Sequence, residues 1–282
     1  MRNDACMRLV SFLDPAGKNS WGRVDGTTVV DLGALQPSVR ALLAAGALDS
    51  AGTHSGPSHS LDAVTLLPPV TDPARILCAG INYDEHRKET GRDANAYPTI
   101  FTRYPSSLVG HGVPLVRPTE SDNFDYEGEL AVIIGRTTRR ISVADALGCI
   151  AGYACFNDGS VRDWQRKSSQ FIPGKNFDSS GSMGPWMVTA DEIADPQALS
   201  LQTVLDGQVV QSTTTDLMIF NIAELISFCS TFTTLDPGDV IVTGTPGGVG
   251  AARKPPLWIK VGSTVTVEIS GIGVLSNGCV EG

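Results

Sequence analysis

The chain has 282 residues, enough for one sizeable core or one core with a small appendage, and its 41% hydrophobic and 18% charged content is that of a folded globular protein. A formal net charge of −9 argues against a nucleic-acid partner, whose phosphates need a basic surface, yet leaves room for a small anion where a cation and a few arginines reverse the field locally. No stretch is apolar for long enough to span a bilayer, so no membrane partner is expected, and the opening MRNDAC lacks the apolar run of a secretory signal.

The 30 glycines and 17 prolines favour turns and short strands over long helices. Residues 1–70 read as a small, mostly β module. MRLVSF and TVVDL are strand-like runs separated by DPAGKN and VDGT turns, VRALLAAGAL has helical spacing, AGTHSGPSHS is a polar loop, and VTLLPPV resumes extended structure. Residues 71–282 read as the main domain. RILCAGINY is a buried strand ending in a turn, DEHRKET a short polar helix or loop, and FDYEGELAVIIG a strand whose apolar end is rich in Ile and Val. VADALGCIAGYACF predicts a short helix running into a strand. Residues 173–186, PGKNFDSSGSMGP and its neighbour, predict a long loop. LQTVLDGQVVQSTTT predicts a hairpin with an Asp-Gly turn, IFNIAELISFCSTF an amphipathic helix, and DVIVTGTP and STVTVEIS closing strands. Helices are few and no βαβ alternation appears, so the expected class is α+β, dominated by mixed or antiparallel strands.

Six cysteines, Cys6, Cys78, Cys149, Cys155, Cys229 and Cys279, form no C-x-x-C pair and sit mostly in apolar text. Reduced, buried thiols of a cytoplasmic protein are the expectation.

The sharpest chemical signal is Asp125-Tyr126-Glu127-Gly128-Glu129 at the start of a strand. Alternate strand residues share a face, so Glu127 and Glu129 project together, with Asp125 on the same side. Two carboxylates that close repel unless a proton or a cation intervenes. Asp158 follows another strand, GYACFN, beside a glycine, and completes a candidate trio. Taken alone, the first two acids also fit a solvated strand end, and Asp158 a turn or helix cap. An all-oxygen ligand set selects hard cations, Mg²⁺ or Mn²⁺ with Ca²⁺ as a substitute, over Zn²⁺ or copper. Three protein ligands leave positions open for water or substrate, which suits chemistry.

Among four histidines, His86 is the acid–base candidate, because Glu89 at i+3 shares its helical face and a carboxylate orients and raises the basicity of imidazole. Lys175, in PGKNFD, can stabilise developing oxyanion charge. The turn Thr243-Gly244-Thr245-Pro246-Gly247-Gly248 offers backbone N–H groups that can hold a carboxylate. Arg103 and Arg162 can grip substrate carboxylates by bidentate pairing.

In this order, GINYDEH, FTRYPSSLVG, FDYEGELAVIIG, GYACFNDGSVRDWQ, PGKNFD and PGDVIVTGTPGGVG resemble the fumarylacetoacetate hydrolase family over roughly residues 75–280, in particular its acylpyruvate hydrolase-like bacterial members. The resemblance implies a mixed β-roll, usually paired into homodimers, with a small β-rich N-terminal domain. It implies metal ligation by Glu127, Glu129 and Asp158, and a water-activating His86–Glu89 pair on a segment that orders over substrate. It also implies Lys175 near the metal, and substrate contacts from Arg162, Gln165 and Thr245. Two positions depart from the pattern. A fourth acid has no clear counterpart, Asn82 or Asp84 being nearest, and residue 103 is arginine where many relatives carry lysine.

The expected activity is hydrolysis of a C–C bond in an acylpyruvate or 1,3-diketo acid, such as maleylpyruvate or fumarylpyruvate, by a metal-dependent hydrolase of aromatic catabolism. His86, steered by Glu89, would take the proton from water. Decarboxylation, isomerisation or hydration of a related 2-oxo acid, of the oxaloacetate or 2-hydroxydienoate type, uses the same site and is the second expectation. A structural Ca²⁺ in a non-enzymatic protein is the third.

Overall fold

The computed structural model describes residues 7–94 and 96–282. Cys6 and the MRNDAC opening lie outside the described residues. The strand-dominated α+β expectation is met: the described residues form a 12-stranded sheet, a 5-stranded sheet and a 2-stranded ribbon, with few helices.

At the centre of the larger sheet lies Gly128–Ile134, all seven residues of which are buried. Burial on both faces explains why LAVIIG is continuously apolar rather than alternating. Leu130, Val132 and Ile134 point to one core, shared with Ile222, Leu225, Ile226 and Cys229 of the helix Ile222–Phe232 and with Leu201, Val267 and Ile269 of the second sheet. Ala131 and Ile133 point to the opposite core, shared with Ala154, Phe156, Met183 and Met187. The period-2 alternation of a strand is thus preserved, with apolar partners on each side.

Gly128–Ile134 pairs antiparallel with Ile150–Asn157 on one side and with Val240–Val242 on the other. Ile76–Gly80 lies parallel to Val240–Val242, and Thr99–Thr102 closes that edge. In the other direction Ile150–Asn157 pairs with Gly181–Thr189, which pairs with Arg8–Leu13, so the N-terminal strands extend this sheet. The second sheet runs Gln208–Thr214, Ser200–Leu205, Thr264–Ile269, Gly273–Glu281 and Leu115–Arg117. Its first hairpin turns on Asp206 and Gly207, with φ of 50° and 81°, as a tight two-residue turn requires. The helix Ile222–Phe232 starts in a capping box: the Asn221 side chain accepts the Glu224 N–H, and the Glu224 carboxylate accepts the Asn221 N–H. Among the described residues no helix is long and apolar enough to cross a membrane.

The loop expected over 173–186 is shorter than its composition suggests. Ile172–Lys175 forms a helical turn, and Gly181–Thr189 is a nine-residue strand buried between two neighbours. Its small residues serve close approach rather than flexibility: a Cβ on Gly181 would come within 2.7 Å of Arg103 Nη2.

Candidate active site

The register of two neighbouring strands brings the acids together. Gly128 is opposite Asn157, and just beyond that pair the Asp158 N–H donates to the Glu127 carbonyl at 2.8 Å. Glu127 and Glu129 flank Gly128, whose own Cα faces away from them: a Cβ there would come within 2.0 Å of Thr203 Oγ1 in the second sheet. The glycine lets the second sheet pack against the back of the site. Among the described residues, Glu127, Glu129 and Asp158 each offer an oxygen within 4.8 Å of the others, and all three are buried.

Asp125 does not join them. The strand Phe124–Asp125 ends before Gly128–Ile134 begins, so the alternation breaks at Tyr126. Asp125 instead accepts the N–H groups of Gly250 and Ala251 and the Nε–H of Arg162 at 2.7–2.9 Å. Neither candidate for a fourth acid extends the trio. Asn82 is spent on the Phe220 and Thr243 backbone, and Asp84 pairs with Arg87 and Lys88 at the surface.

Buried cations surround the carboxylates. Lys175 Nζ lies 2.7 Å from Glu127 Oε2 and 2.6 Å from Asp158 Oδ2, and Arg162 Nη1 lies 2.6 Å from Glu127 Oε1. Burial opposes the charged form of Glu127, but Lys175 and Arg162 outweigh it and hold its carboxyl well below the usual range. Glu129 accepts the Gly244 N–H at 2.6 Å and is pushed well above the usual range, first by burial and then by the Asp158 and Glu127 charges. Among the described residues Glu129 has no ion-pair partner, while an ammonium bridges the other two acids as a cation would. An all-oxygen trio with that deficit fits a hard divalent ion.

His86, on the helix Asp84–Glu89, is buried and lines the cavity above the acids. Its Nδ1 lies 2.8 Å from Glu89 Oε1, which leaves Nε2 as the nitrogen available for proton transfer. The cavity measures about 940 Å³, and Glu127, Glu129, Lys175, Arg162, Gln165 and Thr245 also line it. Arg162 Nη1 also reaches Gln165 Oε1 at 3.0 Å, while its buried Nη2 has no hydrogen-bond partner among the described residues. The Thr245 hydroxyl donates to the Gly128 carbonyl at 3.0 Å and accepts from Gln211 Nε2 at 2.8 Å.

Arg103 stands elsewhere than in the cavity. Its side chain is 0% exposed and lies behind Asp158, so it does not face a substrate as expected from its sequence position. The N–H groups of the Thr243–Gly248 turn do hold carboxylates, and these are the protein's own, Glu129 at Gly244 and Glu89 at Gly248. Sequence reading missed Gln211, which binds Gly128 N–H, Thr245 and the Pro246 carbonyl, because a glutamine in a hairpin strand carries no local signal. It also missed Ile81, a cavity-lining residue at φ 59°, strained for a β-branched side chain.

Comparison with known proteins bears on the chemistry. A mitochondrial oxaloacetate tautomerase of Xenopus laevis is 39% identical over 285 residues, spanning 96% of this chain and 89% of its own. A human mitochondrial oxaloacetate tautomerase is 44% identical over 216 residues, spanning 76% of this chain and 69% of its own. The solved structure of a 2-hydroxyhepta-2,4-diene-1,7-dioate isomerase from Mycobacterium marinum superposes with a TM-score of 0.80 at 33% identity, covering 98% of both chains. These tautomerases and isomerases overturn the expectation of a hydrolase acting on carbon–carbon bonds. The physical reason for the error is that a base, an oxyanion-stabilising lysine and an acid trio serve water attack and carbon-proton transfer equally. The sequence model of the fumarylacetoacetate hydrolase C-terminal domain matches residues 75–280, and the chain belongs to that family.

Proposed function

We propose that this protein interconverts keto and enol forms of a small 2-oxo dicarboxylic acid, with oxaloacetate the first candidate. The observation that carries the reading is one base, His86, facing the same cavity as Glu127 and Glu129 and two cationic donors, Lys175 and Arg162. The named tautomerases support it.

A divalent cation, Mg²⁺ or Mn²⁺ with Ca²⁺ as a substitute, held by Glu127, Glu129 and Asp158, would supply Lewis-acid polarisation of the 2-oxo group. The chain's own residues do the rest. Glu89 fixes His86 so that Nε2 takes a proton from the carbon next to the 2-oxo group. The electron pair moves to the C2 oxygen, and a proton returns to that oxygen, so the carbon skeleton and the proton count are unchanged. Lys175 stabilises the oxygen as negative charge builds. Arg162 and Gln165 hold the substrate carboxylate, and Thr245 sets the cavity wall beside them. Arg92 and Arg166 line the same cavity, and both are exposed. They suit a second, distal carboxylate.

A double-bond isomerase acting on a longer dioate is the second reading. The Mycobacterium marinum structure favours it, and a cavity of about 940 Å³ has room for a chain longer than oxaloacetate. The five described cysteines are free and buried, which suits the reducing cytoplasm as the location, although the named relatives are mitochondrial. A homodimer, implied by family resemblance, belongs to the same reading, and sedimentation at assay concentration tests it.

The test is the ultraviolet absorbance of freshly dissolved enol-oxaloacetate. Faster decay with protein and Mg²⁺, with neither CO₂ nor pyruvate released, supports the reading. Decay at the buffer rate, or release of CO₂, contradicts it.

A further inference from the structure

We propose that Arg103 is the positioning residue that presents Asp158 to the metal, and that this chain needs arginine there rather than lysine. The inference rests on the reading of the acid trio as a cation site. Arg103 donates from Nη1 to Asp158 Oδ1 at 2.5 Å and to the Gly159 carbonyl at 2.9 Å. It donates from Nη2 to Ser180 Oγ at 2.9 Å and to the Ser107 carbonyl at 3.3 Å, and from Nε to Ser107 Oγ at 3.1 Å. A guanidinium has five N–H donors in a rigid plane, and here each has an acceptor. Both Arg103 and Asp158 are 0% exposed in their side chains.

The division of labour at Asp158 follows. Oδ1 is fixed by Arg103, while Oδ2 turns toward Lys175 and the trio. A carboxylate held at one oxygen in this way presents the other in a single orientation, which is how partners behind a metal ligand sharpen affinity. The backbone is shaped for the guanidinium. Gly181, without a Cβ, leaves the space that Nη2 fills. Lysine at this position keeps the charge but carries its donors on one atom, so it cannot reach Asp158, Gly159, Ser107 and Ser180 together.

The measurement is Mn²⁺ binding to the purified full chain, read by the electron paramagnetic resonance of free Mn²⁺ at 25 °C without substrate, alongside the melting temperature. Arg103→Lys is expected to weaken Mn²⁺ binding about tenfold or more. Ser180→Ala, which keeps Arg103 but removes one of its anchors, is expected to weaken it by a smaller factor, and it decides the question should Arg103→Lys fail to fold. A lowered melting temperature with Mn²⁺ affinity within twofold of the unaltered chain, in whichever variant folds, overturns the inference. An unaltered chain that binds no Mn²⁺ overturns the cation site itself, and this inference with it.

Discussion

Glu89 binds His86 Nδ1 at 2.8 Å through one oxygen and accepts the Gly248 N–H at 2.8 Å through the other, so the base is tied both to its own helix and to the turn across the cavity. Removing the imidazole removes the proton acceptor without disturbing the sheets. His86→Ala is expected to lower kcat by about 10²–10⁴-fold with little change in melting temperature. Glu89→Gln keeps hydrogen-bonding capacity but loses the charge, so its loss should be smaller. Steady-state kinetics on both variants check the order.

Metal removal is expected to leave the protein folded. Lys175, Arg162 and Arg103 already stand beside Glu127 and Asp158, so these two acids are compensated without an ion. Calorimetry after chelation should show a cooperative transition, with melting temperature rising on Mn²⁺ addition because the ion binds the native state. The double variant Glu127→Gln/Glu129→Gln should lose that rise. A chain that unfolds on chelation contradicts the argument.

Arg166 and Arg92 are exposed at the cavity mouth, and replacing them should affect recognition rather than folding. Arg166→Gln is expected to raise KM for oxaloacetate about tenfold, the scale of one charge-assisted hydrogen bond. A monocarboxylic 2-oxo acid lacking the distal group should be unaffected. Equal loss on both substrates would remove these arginines from substrate recognition.

Outside the cavity lining, Asn221→Ala breaks the capping box of the helix Ile222–Phe232. A loss of about 1 kcal/mol in stability is expected, measured by denaturant titration, with kcat unchanged.

The parts of the site that were legible in the sequence are those whose partners lie close along the chain. His86 and Glu89 are three residues apart on one helix, and Glu127 and Glu129 straddle one glycine, so local geometry already pairs them. Asp158 lies far along the chain from them and was legible only as an acid beside a glycine at a strand end, joined to Glu127 and Glu129 by the family resemblance. Arg103 was misread because Asp158 and Ser180, which fix its guanidinium behind the site, lie 55 and 77 residues away, and burial behind a ligand leaves no local mark. The strand Gly181–Thr189 was misread because glycine and serine fit both a flexible loop and a tightly packed strand. The reaction itself was out of reach, since the same side chains move a proton from water or from carbon.

That distinction is the central claim, and deuterium exchange at C3 of oxaloacetate tests it most directly. In D₂O with Mg²⁺, followed by nuclear magnetic resonance, the protein should speed C3 exchange above the buffer rate with the four-carbon skeleton intact, and His86→Ala should abolish the acceleration. Exchange at the buffer rate, or the same acceleration in His86→Ala, would contradict the account.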